Sequence, residues 1–188
     1  MRYEIERKFL VSGFLNEDSK VGGRYKHFTQ DVIYLSTDPE VRFKKTSIMS
    51  EHSISKHGSQ ITGTLPIDGK TYIYSLTMKG NGDLTRMETE DIEVSEETYS
   101  IAVSLAKGAP ISRDIREYEL EDGTILDIVH VLNADRDFYY AEVEFESEED
   151  ALNWDMCVLK EILICDATYD PYYKMKNVWK RSREMRYK

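Results

Sequence analysis

The stretch that decides the fold is Glu4-Ile5-Glu6-Arg7-Lys8-Phe9-Leu10-Val11. Successive side chains of a β-strand point to opposite faces, so the apolar residues at positions 5, 9 and 11 share one face. The opposite face carries Glu4, Glu6 and Lys8. A single strand of this kind more often belongs to a half-exposed sheet whose charged face is solvated. The interpretation therefore depends on whether the pattern returns elsewhere.

The same alternation returns at two later points in the chain. Residues 141–146 read Ala-Glu-Val-Glu-Phe-Glu, and residues 86–90 place Arg86, Glu88 and Glu90 on one face. Several strands with an apolar back and a densely charged front predict a closed barrel. We expect an α+β fold built on an antiparallel β-barrel of about eight strands. Its apolar faces would look outward to covering helices, and its charged faces would line a wet tunnel.

Length and composition limit the possible functions. The 188 residues are expected to form one domain, and the net charge of -10 argues against nucleic acid as a partner. No apolar run is long enough to cross a membrane, and the opening residues resemble a strand more than a signal peptide. Cys157 and Cys165 form no CxxC pair, so neither a disulfide framework nor a zinc site is expected. The expected compartment is cytoplasmic.

The motif Glu4-x-Glu6-x-Lys8 resembles the ExExK signature of the CYTH superfamily, the triphosphate tunnel metalloenzymes. Further motifs of that family follow in order along nearly the whole chain. Arg42-x-Lys44 is similar to its phosphate-gripping basic pair, with lysine in place of the commoner second arginine. The three other matching segments are Leu76-Thr77-x-Lys79-Gly80, Arg86-x-Glu88-x-Glu90 and Glu142-x-Glu144. Asp127 resembles a strand aspartate of the family, and residues 167–174 resemble its closing motif on a C-terminal plug helix.

Two segments depart from the family pattern. The family places two basic residues two apart on one strand face, whereas this chain has Arg113 and Arg116, three apart. A β-bulge would bring both inward; otherwise Arg116 alone keeps the role. Residues 46–70 replace a short turn, and we interpret them as a hairpin or flap over one tunnel mouth or as an oligomer contact, for example in a homodimer. Residues 180–188 form a basic tail.

The resemblance implies a role for each charged residue of the tunnel. Substrate-binding cations would be Lys8, Arg42, Lys44, Lys79, Arg86, Arg113 and Arg116. Metal ligands would be Glu4, Glu6, Glu142, Glu144 and Asp127, whereas Glu88 and Glu90 would be catalytic, holding a second metal or orienting water. The residue types agree with this chemistry. A linear triphosphate needs several fixed cations around it, and carboxylates in the same cavity would repel it unless Mg²⁺ or Mn²⁺ lay between them.

The leading functional hypothesis is a metal-dependent triphosphatase, a hydrolase that acts on inorganic tripolyphosphate or on an organic triphosphate such as thiamine triphosphate. Two alternatives stay open. A class IV type adenylate cyclase would use the same metal and phosphate contacts to form cyclic AMP from ATP, but would require an adenine site. A non-catalytic sensor would bind polyphosphate or nucleotide without turnover.

Overall fold

The computed structural model describes residues 2–16, 23–55, 58–60, 72–89, 91–106 and 108–186. The strands found in these ranges are β1 (Arg2–Val11), β2 (Gly23–Thr37), β3 (Glu40–Ser55), β4 (Gly58–Gln60), β5 (Ile73–Lys79), β6 (Thr85–Glu88), β7 (Ile92–Glu93), β8 (Ile111–Glu119), β9 (Ile125–Val131), β10 (Phe138–Phe145) and β11 (Leu163–Asp166). The helices are α1 (Glu96–Leu105), α2 (Glu148–Asn153) and α3 (Met175–Arg186), with short 3-10 helices at Met156–Leu159 and Pro171–Tyr173.

Eight of these strands close into an antiparallel barrel. Their order is β3-β2-β8-β9-β10-β1-β6-β5, and β5 pairs back onto β3 to complete the circle. Strand β4 extends the sheet from β3, β7 pairs with β5, and β11 pairs with the end of β1. The structure therefore confirms the predicted closed barrel of the α+β class.

The outer face of the barrel is apolar and is covered by helices. Phe9 and Val11 of β1 pack with Ala141 and Val143 of β10, against Leu159 of the first 3-10 helix. On another part of the wall, α1 covers the neighbouring strands β2 and β3 with a second apolar cluster, Ile33, Phe43, Tyr99 and Ala102. The arrangement matches the alternation in the sequence, in which apolar residues face away from the charged ones.

The helix boundaries follow from capping residues in the sequence. Ser95 precedes α1, and its hydroxyl accepts a hydrogen bond from the Thr98 backbone N–H at 3.1 Å. Ser147 caps α2 in the same way, through the Asp150 backbone N–H at 3.1 Å. Each cap satisfies a backbone donor that the first helical turn leaves without a partner.

Helix α3 closes one end of the barrel from inside. Its residues Met175, Val178 and Trp179 pack against apolar side chains of β2, β8, β9 and β10. Those strand residues, among them Val32 and Ile111, share strand parity with the residues that line the cavity described below. The predicted C-terminal plug helix is therefore present. It includes most of the segment predicted as a basic tail, as far as Arg186, and the last two residues lie outside the described ranges.

The segment at 46–70 contains a hairpin in its described part. Strand β3 continues without interruption past residue 46 to Ser55 and pairs with β4 in antiparallel register. Residues 56–57 and 61–70 lie outside the described ranges, so the flap and oligomer hypotheses stay predictions. No helix in the described part of the chain combines the length and the apolar character that crossing a membrane requires.

Candidate functional site

The barrel interior holds a cavity of about 360 Å³ whose described lining carries equal numbers of acidic and basic side chains. The eight acidic residues are Glu4, Glu6, Glu40, Glu88, Asp91, Asp127, Glu142 and Glu144. The eight basic residues are Lys8, Arg42, Lys44, Lys79, Arg86, Arg113, Lys174 and Lys176. Side chains of both signs thus share one enclosed space, where their interactions are stronger than in bulk water.

One wall of the cavity, formed by β9, β10 and β1, is mainly acidic. Asp127 lies opposite Glu142 across the β9–β10 pair, and Glu144 lies opposite Glu6 across the β10–β1 pair. Side chains directly opposite on antiparallel strands come close together, so like charges in these positions repel one another. Four carboxylates on three adjacent strands form a continuous acidic surface.

The repulsion within this wall shows in the protonation of its members. Burial, followed by the charge of Glu142, raises the pKa of Glu6 above its usual value. Burial, with the charges of Glu117 and Glu142, raises the pKa of Asp127 well above the usual range for aspartate. The Asp127 Oδ1 atom is buried, and the described residues offer it no hydrogen-bond partner. The charge of Arg113 lowers the pKa of Asp127 but does not outweigh its burial and the neighbouring carboxylates.

The opposite wall, formed by β3, β5 and β6, carries Arg42, Lys44, Lys79 and Arg86. Arg86 lies directly opposite Glu4 on the neighbouring strand β1, and its Nη2 atom lies 2.5 Å from Glu4 Oε2 and 2.9 Å from Glu6 Oε2. The Lys79 ammonium lies 2.9 Å from Glu4 and 2.8 Å from Glu88. The cations on this wall are therefore fixed in place by ion pairs.

Lys44 and Asp91 form a further ion pair at the edge of this wall. The Lys44 ammonium contacts Asp91 Oδ2, and Asp91 Oδ1 accepts a hydrogen bond from the Thr77 hydroxyl at 2.5 Å. Burial, together with the neighbouring Arg42 charge, lowers the pKa of Lys44 to about 8, although Asp91 opposes this shift. Lys44 therefore loses its positive charge at a lower pH than an ordinary lysine.

Lys8 and Arg113 complete the basic set from two other strands. The Lys8 ammonium lies 2.6 Å from Glu142 Oε1, and this contact lowers the pKa of Glu142 to about 2 in spite of the burial that raises it. Arg113 donates to the Tyr140 hydroxyl at 3.0 Å and to the side-chain oxygen of Gln30. Arg42, Arg86 and Arg113 each retain a buried Nε atom with no hydrogen-bond partner among the described residues.

Solved structures with the same fold were then compared with this one. The crystal structure of the inorganic triphosphatase NE1496 aligns with a TM-score of 0.53 at 20% identity, covering 95% of this chain and 95% of that one. A second crystal structure, of the hypothetical protein NE1496, gives a TM-score of 0.52 at 22% identity and covers 94% of this chain and 97% of that one. This chain has the fold of NE1496. The match confirms the barrel architecture that the resemblance to the CYTH superfamily implied.

The remaining comparisons add no functional argument. The Hippeastrum protein HpAC1, for which a dominant triphosphatase activity is described, aligns over 79% of this chain and 82% of its own, with 9% identity and a TM-score of 0.47. No protein-family model and no curated protein matches the sequence.

The cavity lining contains all but two of the residues predicted for the site. The first exception is Arg116, which we expected to face the tunnel. Strand β8 pairs with β2 and β9 without a register shift, so residues three apart on it face opposite sides. Arg113 points inward, and the Arg116 guanidinium lies outside, 4.2 Å from the Phe14 ring centroid. The expectation for Arg116 is therefore corrected. The second exception, Glu90, lies outside the described residues.

The sequence analysis missed several charged or polar residues of the cavity. Glu40 lies 3.6 Å from Arg42, and the alternation Glu40-x-Arg42-x-Lys44 already places these three side chains on one strand face. Asp91 follows β6 in a loop, where no strand periodicity indicates its direction. Lys174 and Lys176 precede or begin α3, and Lys174 bonds the Gly82 carbonyl at 2.9 Å across the cavity.

The described residues contain no group of three or more Asp, Glu, His or Cys side chains already spaced to hold a metal ion. The donor chemistry nevertheless fits a hard divalent cation. Glu6, Asp127, Glu142 and Glu144 supply only oxygen atoms and line the same cavity, and Oδ1 of Asp127 has no hydrogen-bond partner among the described residues. A cation among them would relieve the repulsion that raises the pKa of Glu6 and of Asp127.

Proposed function

We propose that this protein is a divalent-metal-dependent triphosphatase that hydrolyses inorganic tripolyphosphate or an organic triphosphate inside the barrel. One observation carries the proposal: a single cavity places a mainly acidic wall opposite a wall rich in cations. An anion-binding pocket alone would have no use for four adjacent carboxylates, and a cation cage alone would have none for the lysines and arginines. The ligand that satisfies both walls is a polyphosphate complexed with a metal ion.

The cations of the cavity would bind the phosphate oxygens from several directions. Lys8, Arg42, Lys44, Lys79, Arg86 and Arg113 come from five different strands, so they surround a ligand instead of lining one side of it. Arg42, Arg86 and Arg113 would offer planar guanidinium groups, whose paired donors suit phosphate oxygens. The same charges would stabilise the negative charge that spreads over the transferred phosphoryl group in the transition state.

The acidic wall would hold the metal ion. Glu6, Glu142, Glu144 and Asp127 would be its ligands, directly or through water, and Glu4 would join them although it already pairs with Arg86 and Lys79. A bound Mg²⁺ or Mn²⁺ would neutralise phosphate charge and supply polarised water. Glu88, with Glu90, would orient the attacking water, because Glu88 is fixed by Lys79 within the same cavity.

The comparison with NE1496 supports the proposal at the level of the fold. That protein is described as an inorganic triphosphatase, and its barrel aligns with nearly the whole of this chain. A shared fold hosts many functions, so the proposal rests on the chemistry of the cavity, and the shared fold is supporting evidence.

The experiment that tests the proposal is direct. Purified protein is incubated with tripolyphosphate, thiamine triphosphate and ATP, each with Mg²⁺, with Mn²⁺ and with a chelator. Release of free phosphate that the chelator abolishes is the expected result. Cyclic AMP with pyrophosphate from ATP would instead show a cyclase. Calorimetric binding without any turnover would show a sensor. Either outcome would overturn the proposal.

A further inference from the structure

Tyr140 lies inside the barrel and contacts two cavity cations that come from different strands. Its side chain is fully buried in the barrel interior, on the inner face of β10. Its hydroxyl accepts the Arg113 Nη1 hydrogen bond at 3.0 Å from β8. The Lys8 ammonium, from β1, lies 4.4 Å from the centroid of the same ring.

We propose that Tyr140 is a positioning residue for triphosphate binding, which fixes Lys8 through its ring and Arg113 through its hydroxyl. This inference rests on the proposed function, since it assigns a role in holding the groups that would contact phosphate. It concerns a residue that none of the sequence motifs contains.

The contacts of Lys8 show why a ring at position 140 matters. The Lys8 ammonium contacts Glu142 at 2.6 Å and lies 3.5 Å from the Tyr173 carbonyl oxygen, with the Tyr140 ring on a third side. A lysine side chain has four rotatable bonds, so a single ion pair would leave its position poorly defined. The negative face of the aromatic ring adds a directional contact that is strongest where water is excluded.

The contacts of Arg113 show why the hydroxyl matters. The guanidinium is held at both terminal nitrogens, by Tyr140 at Nη1 and by Gln30 at Nη2. Its Nε atom is buried and has no hydrogen-bond partner among the described residues. The neutral phenol, which is the ordinary form of tyrosine at physiological pH, can accept from Arg113.

The chain offers a matched control for removal of the hydroxyl. Tyr34 is also a tyrosine buried in the barrel interior, with 1% of its surface exposed, and its hydroxyl has no hydrogen-bond partner among the described residues. Tyr34→Phe and Tyr140→Phe therefore delete the same atom from the same kind of environment. Of the two, only the Tyr140 hydroxyl has a hydrogen bond to a cavity cation to lose, the one from Arg113.

The first measurement is calorimetric binding of a non-hydrolysable triphosphate with Mg²⁺. We expect Tyr140→Phe to weaken binding roughly tenfold, because one hydrogen bond to a charged group is lost. Tyr140→Leu, which also removes the ring, should weaken binding further, and Tyr34→Phe should leave it within twofold. In an Arg113→Ala background, Tyr140→Phe should have little further effect. Equal affinities of wild type and Tyr140→Phe, or full additivity with Arg113→Ala, would overturn the inference.

The second measurement needs no ligand and separates this inference from the proposed function. The Arg113 Nε–H group is observed by ¹⁵N relaxation NMR in wild type, Tyr140→Phe and Tyr34→Phe. We expect it to be rigid in wild type and in Tyr34→Phe and to gain motion in Tyr140→Phe. Unchanged order in Tyr140→Phe would overturn the positioning role whether or not the protein binds triphosphates. If the Arg113 Nε–H group gains motion in Tyr140→Phe but the protein binds no triphosphate, the proposed function is overturned and the contact between Tyr140 and Arg113 still stands.

Discussion

If the cavity binds triphosphate as proposed, Lys44 should make that binding sensitive to alkaline pH. Burial and the Arg42 charge lower its pKa to about 8, so it is mostly charged at pH 7 and mostly neutral at pH 9.5. If only the charged form contacts phosphate, the apparent affinity falls in proportion to the charged fraction. The loss is roughly tenfold for each pH unit above the pKa, or roughly 30-fold at pH 9.5. The loss of affinity cannot exceed the whole contribution of the Lys44–phosphate contact, which is about tenfold to a hundredfold.

The matched variant for this prediction is Lys44→Arg, because a guanidinium keeps its charge throughout this range. The dissociation constant of a non-hydrolysable triphosphate with Mg²⁺ is measured by calorimetry from pH 7 to pH 9.5 in both proteins. We expect the wild-type affinity to fall above pH 8 while that of the variant stays nearly constant. Wild type should also take up a proton on binding at pH 9, which two buffers of different ionisation enthalpy reveal. Parallel curves for the two proteins, with equal proton uptake, would refute the reasoning.

Three further predictions concern other residues of the cavity. Arg113→Ala should weaken tripolyphosphate binding about tenfold to a hundredfold in calorimetry, because it removes a charge-assisted contact. Arg116→Ala, on the outer face, should change the affinity less than twofold. Similar losses in the two variants would contradict the assigned orientations. Glu6→Gln should nearly abolish phosphate release at saturating Mg²⁺ without lowering the melting temperature, because it removes a metal ligand from a polar cavity and no packing; full activity would exclude the metal-ligand role. Phe28→Ala should lower kcat/KM for thiamine triphosphate or ATP more than for tripolyphosphate. The reason is that Phe28, Ile115 and Val129 lie side by side on adjacent strands and give the cavity an apolar surface that an organic group could contact. Equal reductions for all substrates would mean that Phe28 only fills the barrel.

Strand periodicity was sufficient to predict most of the fold and most of the cavity. A side chain's face depends only on its parity along the strand, so Glu4, Glu6 and Lys8 had to lie together once the strand was recognised. The same rule could have excluded Arg116 as a partner of Arg113. The hypothesis of a β-bulge was the only route to placing both inward, and β8 has regular pairing with both neighbours.

Contacts made by loops and by the interior of the barrel could not be predicted in this way. Asp91 meets Lys44 only because the chain after β6 turns back toward β3, and nothing local in the sequence indicates that path. In the sequence, nothing distinguishes Tyr140 from other aromatic strand residues, because its proposed role depends on Lys8 and Arg113, which are distant along the chain. Sequence patterns indicate which face a residue occupies, and tertiary structure alone decides which side chains meet across the barrel.

The distribution of charge is compatible with the proposed binding of a polyanion by a chain of net charge -10. Among the residues that the structure describes, eight lysines and arginines and eight acidic residues line the cavity, so their formal charges balance there. At physiological ionic strength, charges more than about 8 Å apart across water are largely screened. Inside the cavity, where water is limited, the lining cations are screened less than charges on the outer surface. Under the proposed function, a triphosphate that enters the cavity would meet these cations in spite of the negative net charge of the chain.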